Sequence, residues 1–225
     1  MRRPTLGTFI ILAWIALMSS PFLSGQAKQN PAPTADRLVY ADFENCTADH
    51  LQSSRGGYVF VAGWQKEEKY KPTFDPIFVD AGGGFSNRMA FNFKLFGPQE
   101  WTGVGITING LPEVDGKTQP EDLSGYKELV FDVELAGPPQ LKIQLLSQKT
   151  DLSVAPGNEP FVVLDVKPGF QTYRIPLKKF DTPRGSPVWS ADVKKVIKAV
   201  TGLQFAVEKQ GSAGHVLIDN VEFRK

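Results

Sequence analysis

From Leu38 onward the chain alternates apolar and polar residues with a period of two. Met89, Phe91, Phe93 and Leu95 are separated by Ala90, Asn92 and Lys94. Successive side chains of an extended segment point to opposite sides, so such a run buries one face and wets the other. The same alternation recurs at Leu129, Phe131, Val133 and Leu135, at Leu141, Ile143 and Leu145, at Tyr173, Ile175 and Leu177, and at Leu203, Phe205 and Val207. Gly82-Gly83-Gly84, Gly137-Pro138-Pro139, Pro156-Gly157-Asn158 and Pro168-Gly169 punctuate these runs. That rhythm of strand and turn predicts an all-β fold, a two-sheet antiparallel β-sandwich, and not βαβ units. One short helix is predicted near 190–200. There Ser190 can cap, Asp192 suits the first turn, and Val193, Val196, Ile197 and Val200 share a face before Gly202 stops the segment.

The first residues read as targeting and not as fold. Arg2 and Arg3 precede an apolar run from Phe9 to Met18, followed by small and turn-forming residues up to Ala27. This predicts a secretory signal over residues 1–27, cut after Ala27, because the run falls short of the roughly 20 apolar residues that span a bilayer. Residues 28–37, beginning KQNPAPTAD, hold two prolines and no apolar period, and read as a linker. A single domain over 38–225 follows, in a secreted or periplasmic protein without a membrane span after cleavage.

Charge narrows the partners. The chain carries 25 Lys+Arg against 24 Asp+Glu, and loss of Arg2 and Arg3 with the signal leaves 23 against 24, a net of −1. No basic surface of the kind that nucleic acid or an anionic membrane selects is visible, so a neutral partner is expected. The one cysteine, Cys46, excludes an internal disulfide, so stability falls to packing and to a metal if one binds.

The chain closes with Ile218-Asp219-Asn220-Val221-Glu222-Phe223, and Asp42-Phe43-Glu44 near the start is an acidic counterpart, which suggests that the two ends meet. Asp122-Leu123-Ser124-Gly125-Tyr126 before the strand Glu128 to Glu134, Tyr173-Arg174-Ile175-Pro176-Leu177 with Phe180, and Leu217-Ile218-Asp219-Asn220-Val221 occur in this order. Together they resemble galactose-binding-like jelly rolls, most of all carbohydrate-binding modules of family eleven, over about residues 38 to 224. Ser86-Asn87-Arg88-Met89-Ala90 falls where those modules have a turn. The same phrases also resemble bacterial relatives of the complex I intermediate-associated protein family, which implies a second reading as an interaction or assembly factor.

The resemblance implies a structural calcium between first and last strands, with Glu44 and Asp219 in the matching positions. Hard cations take six to eight oxygens, many of them carbonyls, so two acids would be only part of such a site. It also implies a concave sheet face that binds a β-glucan-type polysaccharide or oligosaccharide. Sugar sites need aromatic faces for the rings and fixed polar groups for the hydroxyls. If the alternating apolar residues face the core, then Asp132, Glu134, Lys142, Gln144, Arg174, Gln204 and Glu208 point outward. Of these, Asp132, Gln144, Arg174 and Gln204 are the candidate ligand-binding residues, with Trp101 or Tyr126 as stacking platforms. A monomer is expected.

Catalysis finds little support. Glycosidases hold paired carboxylates about 5 to 10 Å apart on rigid elements, and no compact pattern of acids suggests such a pair. Only His50 and His215 could serve as imidazole bases or zinc ligands, and they lie far apart in sequence. Gly84-Phe85-Ser86-Asn87-Arg88 lacks the second glycine of a nucleophile elbow, and Gly82-Gly83-Gly84 lacks the Lys-Ser/Thr of a phosphate loop. The expected protein is a noncatalytic binding module, with a polysaccharide-active enzyme as the remaining alternative.

Overall fold

The computed structural model describes residues 36–44, 46, 53–64, 77–80, 85–97, 100–107, 120–147, 159–180 and 193–225. The signal over 1–27, nearly all of the linker, His50, the glycine run 82–84, the turn 156–158 and the helix-capping Ser190 and Asp192 lie outside them.

Among the described residues eleven strands make two antiparallel sheets. They are β1 (Arg37–Ala41), β2 (Val59–Trp64), β3 (Ile77–Asp80), β4 (Phe85–Leu95), β5 (Trp101–Thr107), β6 (Glu128–Ala136), β7 (Gln140–Leu146), β8 (Phe161–Asp165), β9 (Gln171–Pro176), β10 (Gly202–Val207) and β11 (Ser212–Arg224). The first sheet runs β3-β4-β11-β6-β9, with β1 also paired to β11; the second runs β2-β5-β10-β7-β8. Each sheet buries the apolar side of its alternating strands against the other, which makes a β-sandwich.

The chain ends do meet. β11 is long enough for two partners on one side: Ser212 to Ile218 pair with β4, and Val221 to Arg224 pair with β1. On its other side β11 pairs with β6, with a register shift between Asp219 and Glu222. Asn220 sits at that shift with φ 49°, a left-handed conformation that asparagine tolerates better than most residues.

Side chains from both sheets fill the interior. Phe131 of β6 meets Phe205 of β10 edge to face, with ring centroids 5.2 Å apart and both rings fully buried. Tyr40 of β1 is fully buried, and its hydroxyl donates to the carbonyl of Ile106 on β5 at 3.1 Å, so one side chain links the terminal seam to the opposite sheet. Burial raises the Tyr40 phenol well above its usual range.

One expectation needs adjustment. Ser86 to Ala90, expected as a turn, lie within β4, because Asn87 and Met89 are buried as a strand's inner residues are. The expected short helix is present as α1 (Val193–Val196); Val196 is buried, and Val193 and Ile197 pack against the core.

Candidate functional site

The two sheets offer very different outer faces. On the first sheet, Asn92, Lys94, Thr172 and Arg174 are exposed, and Asp132 and Glu134 half-buried, the usual result for a solvated face. On the second, the outward residues of the central strands are sheltered. Gln144 of β7 is 5% exposed, Gln204 of β10 is 8% exposed, and Ala206 beside it is fully buried.

The sequence explains why this face is hollow. Gly103 and Gly105 on β5 and Ala206 on β10 place almost no side chain outward at the centre of the sheet, so the floor lies low between its edge strands. The Phe60 ring of β2 lies over Gly105, and Phe161 sits on the edge strand β8 at the opposite side. Gln204 donates through Nε2 to Oε1 of Gln144 at 3.4 Å, making an amide pair on the floor. Further along, Lys142 pairs with Glu208 at 2.7 Å and lies over the Phe161 ring, 4.8 Å from its centroid. Gln140, Lys142, Val163, Ala206, Glu208 and Lys209 line a concavity of about 310 Å³ there. Trp101, half-buried, pairs with Trp64 in strand register at the same end of the sheet.

The six expected ligand-binding residues therefore do not form one site. Gln144, Gln204 and Trp101 belong to the second sheet and share its outer face. Asp132 and Arg174 sit on β6 and β9 of the first sheet, on the far side of the core. Both already have partners: Arg174 Nη1 donates to Glu128 Oε1 at 2.7 Å, while Asp132 accepts from the Thr172 hydroxyl and, at 2.8 Å, from the Asn220 amide. Tyr126 lies elsewhere again. It packs against Phe223, with centroids 6.2 Å apart, and lines an apolar concavity of about 530 Å³ with Pro176, Leu177, Val193 and Ile197. That hollow is larger than the one on the second sheet, and Lys127, Glu128, Lys178 and Lys194 line it as well. Alternation tells which residues point outward but not which sheet a strand joins, so the candidates could not be divided from sequence alone. Phe60 and Phe161 were missed because neither lay in a run of clean alternation.

Asp219 lies on β11 beside the stretch that pairs with β1, near enough to Glu44 for the charge of Glu44 to act on it. Asp219 is 3% exposed, and its carboxyl is pushed up to about 7 by loss of water, with the charges of Asp132 and Glu44 adding to the rise. The Asn220 backbone N–H, donating at 2.7 Å, and the Arg88 guanidinium, 4.0 Å away, act in the opposite direction. Asn87 Nδ2 donates to the carbonyls of Glu44 and Cys46 at 3.3 and 3.0 Å. Carboxylate and carbonyl oxygens are the ligands that a hard cation takes. No three acidic, histidine or cysteine side chains converge on one point among the described residues, so carbonyls and water would have to complete any calcium shell.

Solved structures share this architecture. A family 11 carbohydrate-binding module from Clostridium thermocellum, solved in complex with a β-1,3-1,4-mixed-linked tetrasaccharide, superposes with a TM-score of 0.56 at 12% identity, covering 85% of this chain and 96% of that one. The family 11 module of the cellulosomal cellulase Lic26A-Cel5E of the same organism gives 0.53 at 14% identity, covering 85% and 95%. The chain thus shares the two-sheet β-sandwich fold of these modules. No family profile matches the sequence, and no curated protein is similar to it. No helix among the described residues is long and apolar enough to cross a membrane.

Proposed function

We propose that this chain is an exported, noncatalytic carbohydrate-binding protein that holds a β-glucan-type polysaccharide on the outer face of its second sheet. The observation that carries the reading is the sheltered amide pair Gln144–Gln204, which lies in one cross-strand line between Phe60 and Phe161. Buried polar groups are costly unless bonded, and the paired amides keep a further donor and acceptor for the hydroxyls of a neutral sugar. The likeness in fold to modules solved as sugar binders supports this choice of ligand class. The ion pair Lys142–Glu208 leaves that concavity with only the single net charge of Lys209, in keeping with a neutral polymer.

A calcium ion held by Glu44 and Asp219 is part of the same proposal. It would supply the counter-charge for carboxylates whose mutual repulsion is otherwise met by Arg88. Export rests on the amino-terminal apolar run, and sequencing of the amino terminus of the exported protein tests it. The protein is proposed to act as a monomer, which sedimentation velocity checks. The binding claim is tested by affinity electrophoresis of the purified protein through gels containing mixed-linkage β-glucan, with reducing-end release from the same glucan measured in parallel. Retardation without release is expected; release of reducing ends would make it an enzyme.

A further inference from the structure

We propose that Phe60 is the stacking platform of the groove, laid flat by Gly105, and that a bound glycan runs across the strands and not along them. The assignment rests on the carbohydrate-binding reading above. The register of the second sheet places Phe60, Gly105, Gln204, Gln144 and Phe161 in one line, each directly opposite the next on strands β2, β5, β10, β7 and β8.

The ring geometry is the first observation. A Cβ on Gly105 would lie 2.1 Å from Cζ of Phe60, and 2.5 and 2.6 Å from its two Cε atoms. A ring approaching tip first would hold both Cε atoms well beyond 2.6 Å from a point 2.1 Å from Cζ. The short, nearly equal distances mean that Cζ sits above the point with the ring plane turned toward the sheet. One face of the phenyl therefore covers the Gly105 backbone, and the other is turned to the groove. Only glycine at 105 leaves room for this, and a flat aromatic face is what the apolar side of a pyranose packs on.

The second observation is the amide pair. Gln144 and Gln204 are more than nine-tenths buried, and their mutual bond uses Oε1 of Gln144 and Nε2 of Gln204. That leaves the Gln144 amide nitrogen as a donor and the Gln204 carbonyl as an acceptor, a set that matches neighbouring sugar hydroxyls, each of which can give and take a hydrogen bond. The amides lie on the same cross-strand line as the Phe60 ring. A ligand that stacks on Phe60 and reaches both must cross β5, β10 and β7. From Phe60 to Phe161 the line spans four strand spacings, about 19 Å, room for a segment of about four sugar rings.

The test is calorimetric titration of the purified protein with β-glucan oligosaccharides of increasing length. Affinity should rise up to about four rings and then level off. Phe60→Ala should weaken tetrasaccharide binding about tenfold, Phe60→Trp should restore it, and Gly105→Ala should weaken it while leaving the phenyl in the chain. Thermal melts control for folding, and because Phe60 lies on the outer face its variants should melt near the wild type. Wild-type binding that Phe60→Ala leaves unchanged would overturn the platform while sparing the carbohydrate reading. A wild type that binds no glycan would overturn both.

Discussion

Arg37 at the start of β1 forms an ion pair with Glu222 near the end of β11, and the Glu222 side chain is 2% exposed. Arg224 reaches the other oxygen of the same carboxylate, so one buried acid holds two arginines at the seam between the chain ends. Without the acid both arginines lose their partner, but at 44% and 35% exposure water can cover them. Glu222→Ala should therefore lower stability by about 1 to 3 kcal/mol, measured by urea unfolding. Glu222→Gln, which keeps the shape and some of the bonds, should cost less.

The contact between Phe131 and Phe205 joins the two sheets at the centre of the core. Phe205→Ala should destabilise by about 3 to 5 kcal/mol, the usual range for an emptied aromatic site. Phe205→Leu should recover much of that loss. Equal effects of the two substitutions would mean that cavity formation is not what the ring prevents.

Asp219 makes stability depend on pH in a direction opposite to that of most carboxylates. Its folded value of about 7 lies above the unfolded value near 4, so the folded chain holds this proton more tightly. The contribution favours the fold below the unfolded value and is lost as pH rises through about 7. In chelator-treated protein, Asp219→Asn should raise stability at pH 8 by about 1 to 3 kcal/mol, less than the roughly 4 kcal/mol that a three-unit shift sets as a ceiling, and should give no gain at pH 4. The same change at both pH values would show that the carboxyl titrates normally.

Calcium provides an independent reading of that corner. Added to chelator-treated protein at neutral pH, it should raise the melting temperature of the wild type and leave Asp219→Asn unmoved, because the ion would bind only the folded state. A wild-type melt indifferent to calcium would assign the counter-charge to Arg88 alone.

Much of the fold could be read from the alternation of residues. β4, β6, β7, β9 and β10 each carry a clear period of two, and all five are strands in two sheets. β8 escaped notice because Phe161-Val162-Val163-Leu164 is a continuous apolar run in which the edge position exposes Val163. Meeting of the chain ends was foreseeable from the paired acidic phrases, whereas the sharing of one side of β11 between β1 and β4 depends on strand length and register, which residue types do not encode. The site was legible only in part. Gln144 and Gln204 were singled out as polar residues alternating with apolar ones. What makes their face a groove, however, is the small size of Gly103, Gly105 and Ala206 on neighbouring strands, and that acts only once the sheet order is known.

The most direct measurement compares glucan binding by substitutions on the two outer faces in the same affinity gel. Gln144→Ala and Gln204→Ala should each abolish most of the retardation with melting temperatures near that of the wild type, while Arg174→Ala, on the first sheet, should migrate as the wild type does. Loss of binding in Arg174→Ala with full binding in both glutamine variants would contradict the account and move the site to the opposite face.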